Sequence, residues 1–319
     1  MTEAQPRVAT GRRESRGSRR VLRAATRSSP LARWQTADVA ARLATIGVEV
    51  VEVLVDTLGD RTQATNTPLH SIGGQGIFAK EIQAAVLAGD ADIAVHSAKD
   101  LPALTPTGLW LACVPVRGDV RDILVGSSLH ALRPGAVVAT GSVRRRAQLA
   151  HMRADLQFAE LRGNVGTRLA KAANFDAIVL ALVPMERLGF TDVVGEILST
   201  DVMLPMIGQG AIAVECRADD EFTMTLLAEI DDAAAHASVA CERAYLQRLG
   251  GGCDLPVAAL AVLSGEVISL EALVAATDGS SIVRRSVSGH VMDGESLGAA
   301  LADEILAAGG SALLDALRS

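Results

Sequence analysis

Asp92-Ile93-Ala94-Val95-His96-Ser97-Ala98-Lys99-Asp100-Leu101-Pro102 turns from apolar to charged within three residues. Ile93, Ala94 and Val95 read as a buried strand, and Pro102 stops its simple continuation. A hydroxyl, an ammonium and a carboxylate therefore arrive together where the strand ends. In open α/β sheets ligands bind at such ends. Two readings stand at this point: a binding site, or a solvated strand end at which Lys99 and Asp100 merely pair.

Working outward, the flanking segments predict an α/β architecture. Val21–Ala25 reads as a strand, and Ser29-Pro30 as a helix start with Ser29 as N-cap. That helix runs to Gly47 and is followed by a strand over Val48–Val55, a polar loop, and Gly73-Gly74-Gln75-Gly76. A helix over Phe78–Ala88 then feeds the Asp92–Val95 strand, so the alternation predicts a largely parallel sheet with helices on both faces. Val116-Arg117-Gly118-Asp119 reads as a hinge, and a second α/β unit begins at Ile123. It comprises strand Val137–Ala139, helix Ser142–Met152, strand Leu156–Glu160, helix Val165–Ala172 and strand Ala177–Leu182. Gly208-Gln209-Gly210 marks a second crossing before a strand over Ala211–Glu215. From Ala233 the pattern is a helix, the Gly250-Gly251-Gly252-Cys253 turn, three strand-like runs and a C-terminal helix over Leu297–Ala308, an α+β third domain.

The bulk numbers bound the function. At 319 residues the chain is long for one core, and two or three domains are expected. A formal charge of −7 argues against a general nucleic-acid binder. No hydrophobic signal core is evident, and no apolar run reads as long enough for a membrane span. Cys113, Cys216, Cys241 and Cys253 show neither a CxxC pair nor metal-ligand spacing with the histidines, so no metal is expected and a reducing cytoplasm fits. Residues 1–20 are rich in Arg, Ser and Gly and read as a disordered tail; a mis-assigned start and a transit peptide are the alternatives.

Only three of the 30 basic residues are lysines (Lys80, Lys99, Lys171); the rest are arginines, and several fall at strand-to-helix turns. Arg27 precedes the helix at Ser29. Arg144 and Arg145 lie in the first turn after Ser142, Arg162 and Arg168 bracket Gly163–Thr167, and Arg187 follows the next strand. Cations there oppose the helix dipole unless an anion joins them. Each alone reads as a surface arginine, whereas their repetition in both halves favours a polyanionic ligand between them. Cys253, behind three glycines, reads as an accessible thiol suited to covalent attachment, against the default of a buried cysteine. His96 is open to two readings, a base or a hydrogen-bonded packing residue.

Taken together, these segments resemble the porphobilinogen deaminase (hydroxymethylbilane synthase) family. The resemblance rests on Ala25-Thr26-Arg27-Ser28-Ser29-Pro30-Leu31-Ala32, the Val95–Pro102 segment and Leu161-Arg162-Gly163-Asn164-Val165-Gly166-Thr167-Arg168-Leu169. Gly208-Gln209-Gly210-Ala211, Glu215-Cys216-Arg217 and Gly251-Gly252-Cys253 extend it, so that it runs from about residue 21 to the C-terminus. It implies two doubly wound domains resembling periplasmic binding proteins that flank a cleft, plus a small α+β C-terminal domain. The implied boundaries are 21–116 with 209–230 for domain 1, 117–208 for domain 2 and 231–319 for the third.

By the same resemblance the chain is a cytoplasmic, monomeric transferase of tetrapyrrole biosynthesis. It joins four porphobilinogen units on a dipyrromethane cofactor held by a thioether at Cys253, losing ammonia at each step, and then releases linear hydroxymethylbilane. Asp100 matches the catalytic carboxylate. Lys99, Ser29, Ser97, Ser142, Arg144 and Arg145 match cofactor contacts, Arg27, Arg162, Arg168 and Arg187 match substrate contacts, and Gln75 and Phe78 lie in the implied lid. Every pyrrole carries acetate and propionate groups, which accounts for the arginines. Three departures stand out: Ser71 and Gln75 in place of common lysines, Gly141 in place of a common serine, and Val183-Pro184-Met185, where Pro184 is expected to alter substrate-facing backbone. A non-catalytic anion-binding protein and a deaminase-derived pseudoenzyme are the competing readings; Asp100, Cys253 and the six matched arginines favour the enzyme.

Overall fold

A computed structural model of the chain describes residues 20–57, 76, 78–190, 192–193, 195–251 and 255–317. Cys253, the lid position Gln75 together with Ser71, and the tail residues 1–19 lie outside the described residues.

The chain begins with β1 (Arg20–Thr26), α1 (Pro30–Ala44), β2 (Val48–Leu54), α2 (Lys80–Leu87), β3 (Ile93–Ser97) and β4 (Leu109–Cys113). It then crosses to β5 (Asp122–Val125), β6 (Val137–Ala139), α3 (Val143–Met152), β7 (Gln157–Ala159), α4 (Val165–Ala170), β8 (Ala177–Ala181), α5 (Leu182–Arg187) and β9 (Gly195–Leu198). It returns through β10 (Ile212–Arg217) and α6 (Glu221–Ala228), and continues with α7 (Ala233–Arg248), β11 (Val257–Ser264), β12 (Val267–Ala275), β13 (Ile282–His290), α8 (Gly294–Ile305) and α9 (Ser311–Asp315). The sequence pattern places no element at β4, β5, α5, β9, α6 or α9.

Two five-stranded sheets have matching orders, β2-β1-β3-β10-β4 and β7-β6-β8-β5-β9. In the first, β2, β1 and β3 are parallel and β10 alone runs against them. In the second, β7, β6 and β8 are parallel and β5 alone is reversed. The expectation of a largely parallel sheet is thus corrected to two mixed sheets. The reason is geometric. Each crossing leaves one sheet at the carboxyl ends of its parallel strands and enters the other at the same level. The incoming strand, β5 or β10, must therefore run away from that level, antiparallel to its neighbours.

The central strands are buried on both faces, as their continuous apolar runs require. Ile93, Ala94 and Val95 of β3 and all five residues of β8 are buried, whereas β2 at the edge exposes Val51 and Leu54. The third layer is an antiparallel sheet, β11-β12-β13, closed by α7 and α8. Gly298 lets α8 approach α7 closely, because a Cβ there would collide with the Cys241 carbonyl. The buried Tyr245 hydroxyl donates to Leu273 O at 3.0 Å. Among the described residues one segment, Val291–Asp315, is long and apolar enough to cross a membrane by length and composition, with a mean hydropathy of 1.4, which corrects the expectation that no run reaches that length. Gly309 at φ +111° breaks it, and Leu301, Ala302 and Ile305 lie in the third layer's core. The longer piece, α8, has 12 residues, about 18 Å of helix.

All three layers meet at one joint. Arg117 on the outward crossing donates from Nη1 and Nη2 to the α7 carboxylate Glu242, at 2.7 and 3.1 Å, and from Nε to Gln209 O at 2.9 Å on the return crossing. Glu242 also accepts Gly208 N at 2.7 Å and Ala261 N, on β11, at 2.9 Å.

Candidate active site

In both large sheets the strand order reverses beside a central strand, at β1/β3 in one and β6/β8 in the other, and ligand crevices form at such points. The residues singled out from sequence cluster there. Past β1, Ser29 caps α1, its Oγ accepting Ala32 N at 3.3 Å. Arg27 lies 4.0 Å from the centre of the Phe78 ring, a cation–π contact that holds both side chains. Past β3, Ser97 Oγ accepts from Gln35 Nε2 at 2.8 Å, and Ala98–Asp100 forms one 3₁₀ turn whose Ala98 N donates to Ala211 O at 3.0 Å. Arg27, Ser29, Phe78, Ser97 and Asp100 line one small recess that opens to solvent.

In the second sheet, Ser142 caps α3 by accepting Arg145 N at 3.5 Å, and Asn164 caps α4 by accepting Thr167 N at 2.9 Å. Arg168 Nε donates to Gly163 O at 2.7 Å, and Arg162 lies 3.6 Å from Glu160. Arg187, at the end of α5, donates to Gly210 O at 2.8 Å and stands 5.1 Å from the centre of the Trp34 ring on α1. It thereby joins the two sheets across the crossings.

Arg144 and Arg145 are buried, and the anion that helix-start arginines require is partly the chain's own. Asp122, fully buried at the start of β5, accepts Arg144 Nη2 at 2.8 Å and Arg145 Nη2 at 2.9 Å. Arg144 Nη1 donates to Leu204 O at 2.6 Å and Arg145 Nη1 to Val179 O at 3.3 Å. Among the described residues, the buried Nε atoms of both arginines have no hydrogen-bond partner.

The charges of this cluster act on one another. Burial pushes the Lys99 ammonium down to about 8, with Asp100 opposing and Arg145 and Arg168 adding to the depression. Burial also lowers the Arg168 guanidinium, to about 10, helped by Arg145 and Arg162 and opposed by Asp100. Lys99 and Asp100 from one sheet therefore share a field with Arg145, Arg162 and Arg168 from the other. Cations exceed carboxylates there, and with hydrogen-bonding caps close by the donor set suits a polycarboxylate.

Sequence reasoning missed Asp122, Gln209, Trp34 and Gln35. Their partners lie 22 to 153 positions away in the chain, beyond any local pattern. His96 is buried with Nε2 3.2 Å from Glu215, which also accepts Gln83 Nε2 at 2.8 Å, and it lines the recess beside Ser97 and Asp100, so both of its readings stand. Burial favours the neutral form of Glu215, but His96 and Gln83 outweigh it and hold the carboxyl below its usual range. Pro184 falls in the first turn of α5, where a missing N–H costs no helix bond, so its expected disturbance of the backbone is absorbed. At Gly141 a Cβ would stand 2.8 Å from Leu161 O, which accounts for glycine there. The chain leaves α7 through Gly250 and Gly251, both at positive φ, with Gly251 N bonded to Leu246 O at 2.9 Å.

Comparisons with known proteins agree with this geometry. The family model described as porphobilinogen deaminase, dipyrromethane cofactor binding domain, matches residues 22–225, and the porphobilinogen deaminase C-terminal domain matches 236–307. The porphobilinogen deaminase of Trichlorobacter lovleyi is 45% identical over 302 residues, covering 92% of this chain and 96% of that protein. That of Roseiflexus castenholzii is 46% identical over 303 residues, covering 93% and 99%. Among solved structures, the periplasmic VFT2 domain of BvgS from Bordetella pertussis overlays on 66% of this chain and 86% of its own with a TM-score of 0.40 and 17% identity. Two motif-bearing sheets, their facing strand ends and these full-length matches agree: the chain belongs to the porphobilinogen deaminase family, with the dipyrromethane-binding and C-terminal modules in that order.

Proposed function

We propose that Asp100 is the catalytic carboxylate of this chain's transferase reaction, the joining of four porphobilinogen units with loss of ammonia and final release of linear hydroxymethylbilane. The observation that carries this is the place of Asp100 in the recess it lines with Arg27, Ser29 and Ser97, where β1 and β3 end; the charges of Arg145 and Arg168 from the other sheet act on the same Lys99–Asp100 turn. When ammonia leaves, positive charge develops on the substrate pyrrole, and a fixed carboxylate beside its N–H stabilises that charge without reorganising. Asp100 also moves a proton toward the departing amine and away from the attacked carbon.

The family's dipyrromethane cofactor fits the donor set: the buried Nε–H groups of Arg144 and Arg145 lack protein partners, and Lys99 adds an ammonium. When bound, it supplies the pyrrole carbon that receives the first substrate unit. Ser29, Ser97, Lys99, Ser142, Arg144 and Arg145 hold its carboxylates, and Cys253 carries the covalent link. Arg27, Arg162, Arg168 and Arg187 take the carboxylates of substrate units, with Phe78 and Gln75 assigned to the lid by the family resemblance. Domains 21–116 with 209–230, 117–208 and 231–319 are supported by the membership of the three sheets. A cytoplasmic location is supported by the buried thiols of Cys113, Cys216 and Cys241, and the monomeric state is carried over from the family resemblance alone.

The test is intact-protein mass spectrometry of wild type and Asp100→Asn, expressed in cells that make porphobilinogen. Expected is a dipyrromethane-sized adduct mapping to Cys253 and, for Asp100→Asn, a folded protein that releases almost no product. Wild-type turnover by Asp100→Asn would refute the assignment.

A further inference from the structure

Asp122 is a buried carboxylate that neither caps a helix nor faces the recess at Asp100. Its Oδ2 accepts Arg144 Nη2 at 2.8 Å, and its Oδ1 accepts both Arg145 Nη2 and Gln209 Nε2 at 2.9 Å. Burial raises the cost of its charge, yet the two guanidiniums outweigh that cost and hold the carboxyl far below the usual range. Each arginine is thereby fixed at one end of its fork, with Leu204 O and Val179 O as further stops, while its Nε is left without a partner.

Asp122 is also the point where the crossings are tied together. It follows the outward crossing, and Gln209 lies on the return one. The Gln209 amide donates both to Asp122 and to Val120 O, the latter at 2.6 Å. Gly118 N donates to Gly210 O at 3.2 Å, beside the Arg187 bond to the same carbonyl. The carboxylate that holds the arginines of the second sheet is thus bonded to the strap leading back to the first.

We propose that Asp122 is a positioning residue for ligand carboxylates: it sets where Arg144 and Arg145 stand relative to the Lys99–Asp100 turn and, through Gln209, makes that placement depend on how the crossings are joined. This rests on the reading that the cluster holds pyrrole carboxylates. A purely structural ion triad predicts lower stability when Asp122 is changed, with unaltered binding in the molecules that remain folded. A positioning role predicts altered binding in a folded protein. It also predicts a change in the field at Lys99, which feels both Arg145 and Asp122.

The variants are Asp122→Asn, which keeps shape and one acceptor but removes the charge, and Gln209→Leu, which cuts only the strap. With just three lysines in the chain, reductive ¹³C-methylation of the holoenzyme yields three dimethyl-lysine signals, and the one missing in Lys99→Arg reports Lys99. In Asp122→Asn the Lys99 signal titrates at lower pH than in wild type, and KM for porphobilinogen rises at least tenfold while kcat changes less. In Gln209→Leu, KM rises two- to fivefold and the Lys99 titration moves little. An unchanged Lys99 titration with KM within twofold in Asp122→Asn overturns the inference, and unchanged KM in Gln209→Leu overturns its dependence on the strap. Should Asp122→Asn fail to fold, Asp122→Glu, which keeps the charge but moves it by one methylene, replaces it, and a KM within twofold of wild type there overturns the inference. Asp100→Asn is measured alongside: full activity there sinks the site reading itself, whereas an inactive Asp100→Asn beside an unaltered Asp122→Asn sinks only the role given to Asp122.

Discussion

Replacing Glu242 with alanine should unlock the joint between all three layers. The carboxylate is fully buried and accepts four hydrogen bonds, two from Arg117 and one each from Gly208 N and Ala261 N. Its removal leaves the Arg117 side chain, only 11% exposed, without its counter-charge. Breaking one side of a buried ion pair costs about 3–5 kcal/mol. The two backbone N–H groups left without acceptors press toward the upper end of that range. Unfolding entropy of about 2.1 cal/mol/K per residue over roughly 300 residues gives ~0.6 kcal/mol/K, so a loss of about 4 kcal/mol lowers Tm by about 6 °C. Scanning calorimetry and urea unfolding of the single variants and of Arg117→Met/Glu242→Met measure this directly. The double variant should be more stable than Glu242→Met alone, because no buried charge is left unpaired. A Glu242→Ala protein within 1 kcal/mol of wild type, or a strictly additive cycle, would show that the joint does not hold the layers together.

Gly208 and Gly47 offer a matched pair of glycine substitutions. Both have positive φ, +71° and +78°, but a Cβ at Gly208 would stand 3.0 Å from Ala98 and from Lys99 N, while at Gly47 nothing lies within 4 Å. Each change to alanine costs about 1–2 kcal/mol in backbone strain, and only Gly208→Ala should cut turnover by tenfold or more, by displacing the Asp100 turn; equal kinetics in the two variants would refute this. For pH, burial depresses Lys99 to about 8, so its ammonium is present below that value and lost above it. Loading of the protein with its dipyrromethane cofactor should weaken as pH rises through 8, whereas Lys99→Arg should flatten the loss, and loading that is constant from about pH 7 to 9.5 would exclude Lys99 as a carboxylate partner. The unfolded chain keeps that proton up to about pH 10.4, so this group's contribution to stability increases with pH between the two values. Finally, Cys253→Ala should carry no dipyrromethane adduct by peptide mapping; an adduct elsewhere in the chain would move the attachment point.

What could be read in the chain itself was local. The period of apolar residues marked β1, β3, β6 and β8, because a buried strand must be apolar along its length. Ser29-Pro30 and Ser142 announced helix starts, because a hydroxyl there satisfies N–H groups that the helix cannot. The clustering of arginines at such starts, where they oppose the helix dipole, pointed to an anion before any geometry was available. The short apolar run Leu109–Cys113 and the helix opening Leu182-Val183-Pro184 have no comparable period or side-chain cap, so neither carries a local signal.

Sequence by itself thus determined the strand ends, the helix caps, the stock of cationic and acidic side chains, and through its motifs the family. Only the tertiary structure decided which charges meet. Asp122 takes both arginines of α3, Arg187 reaches Trp34 and the Gly210 carbonyl, and Arg117 finds Glu242 across 125 positions. The physical reason is one of range. Periodicity and capping act within a helical turn or between adjacent peptide groups, whereas a buried charge takes whichever partner the packed sheets bring within hydrogen-bond distance.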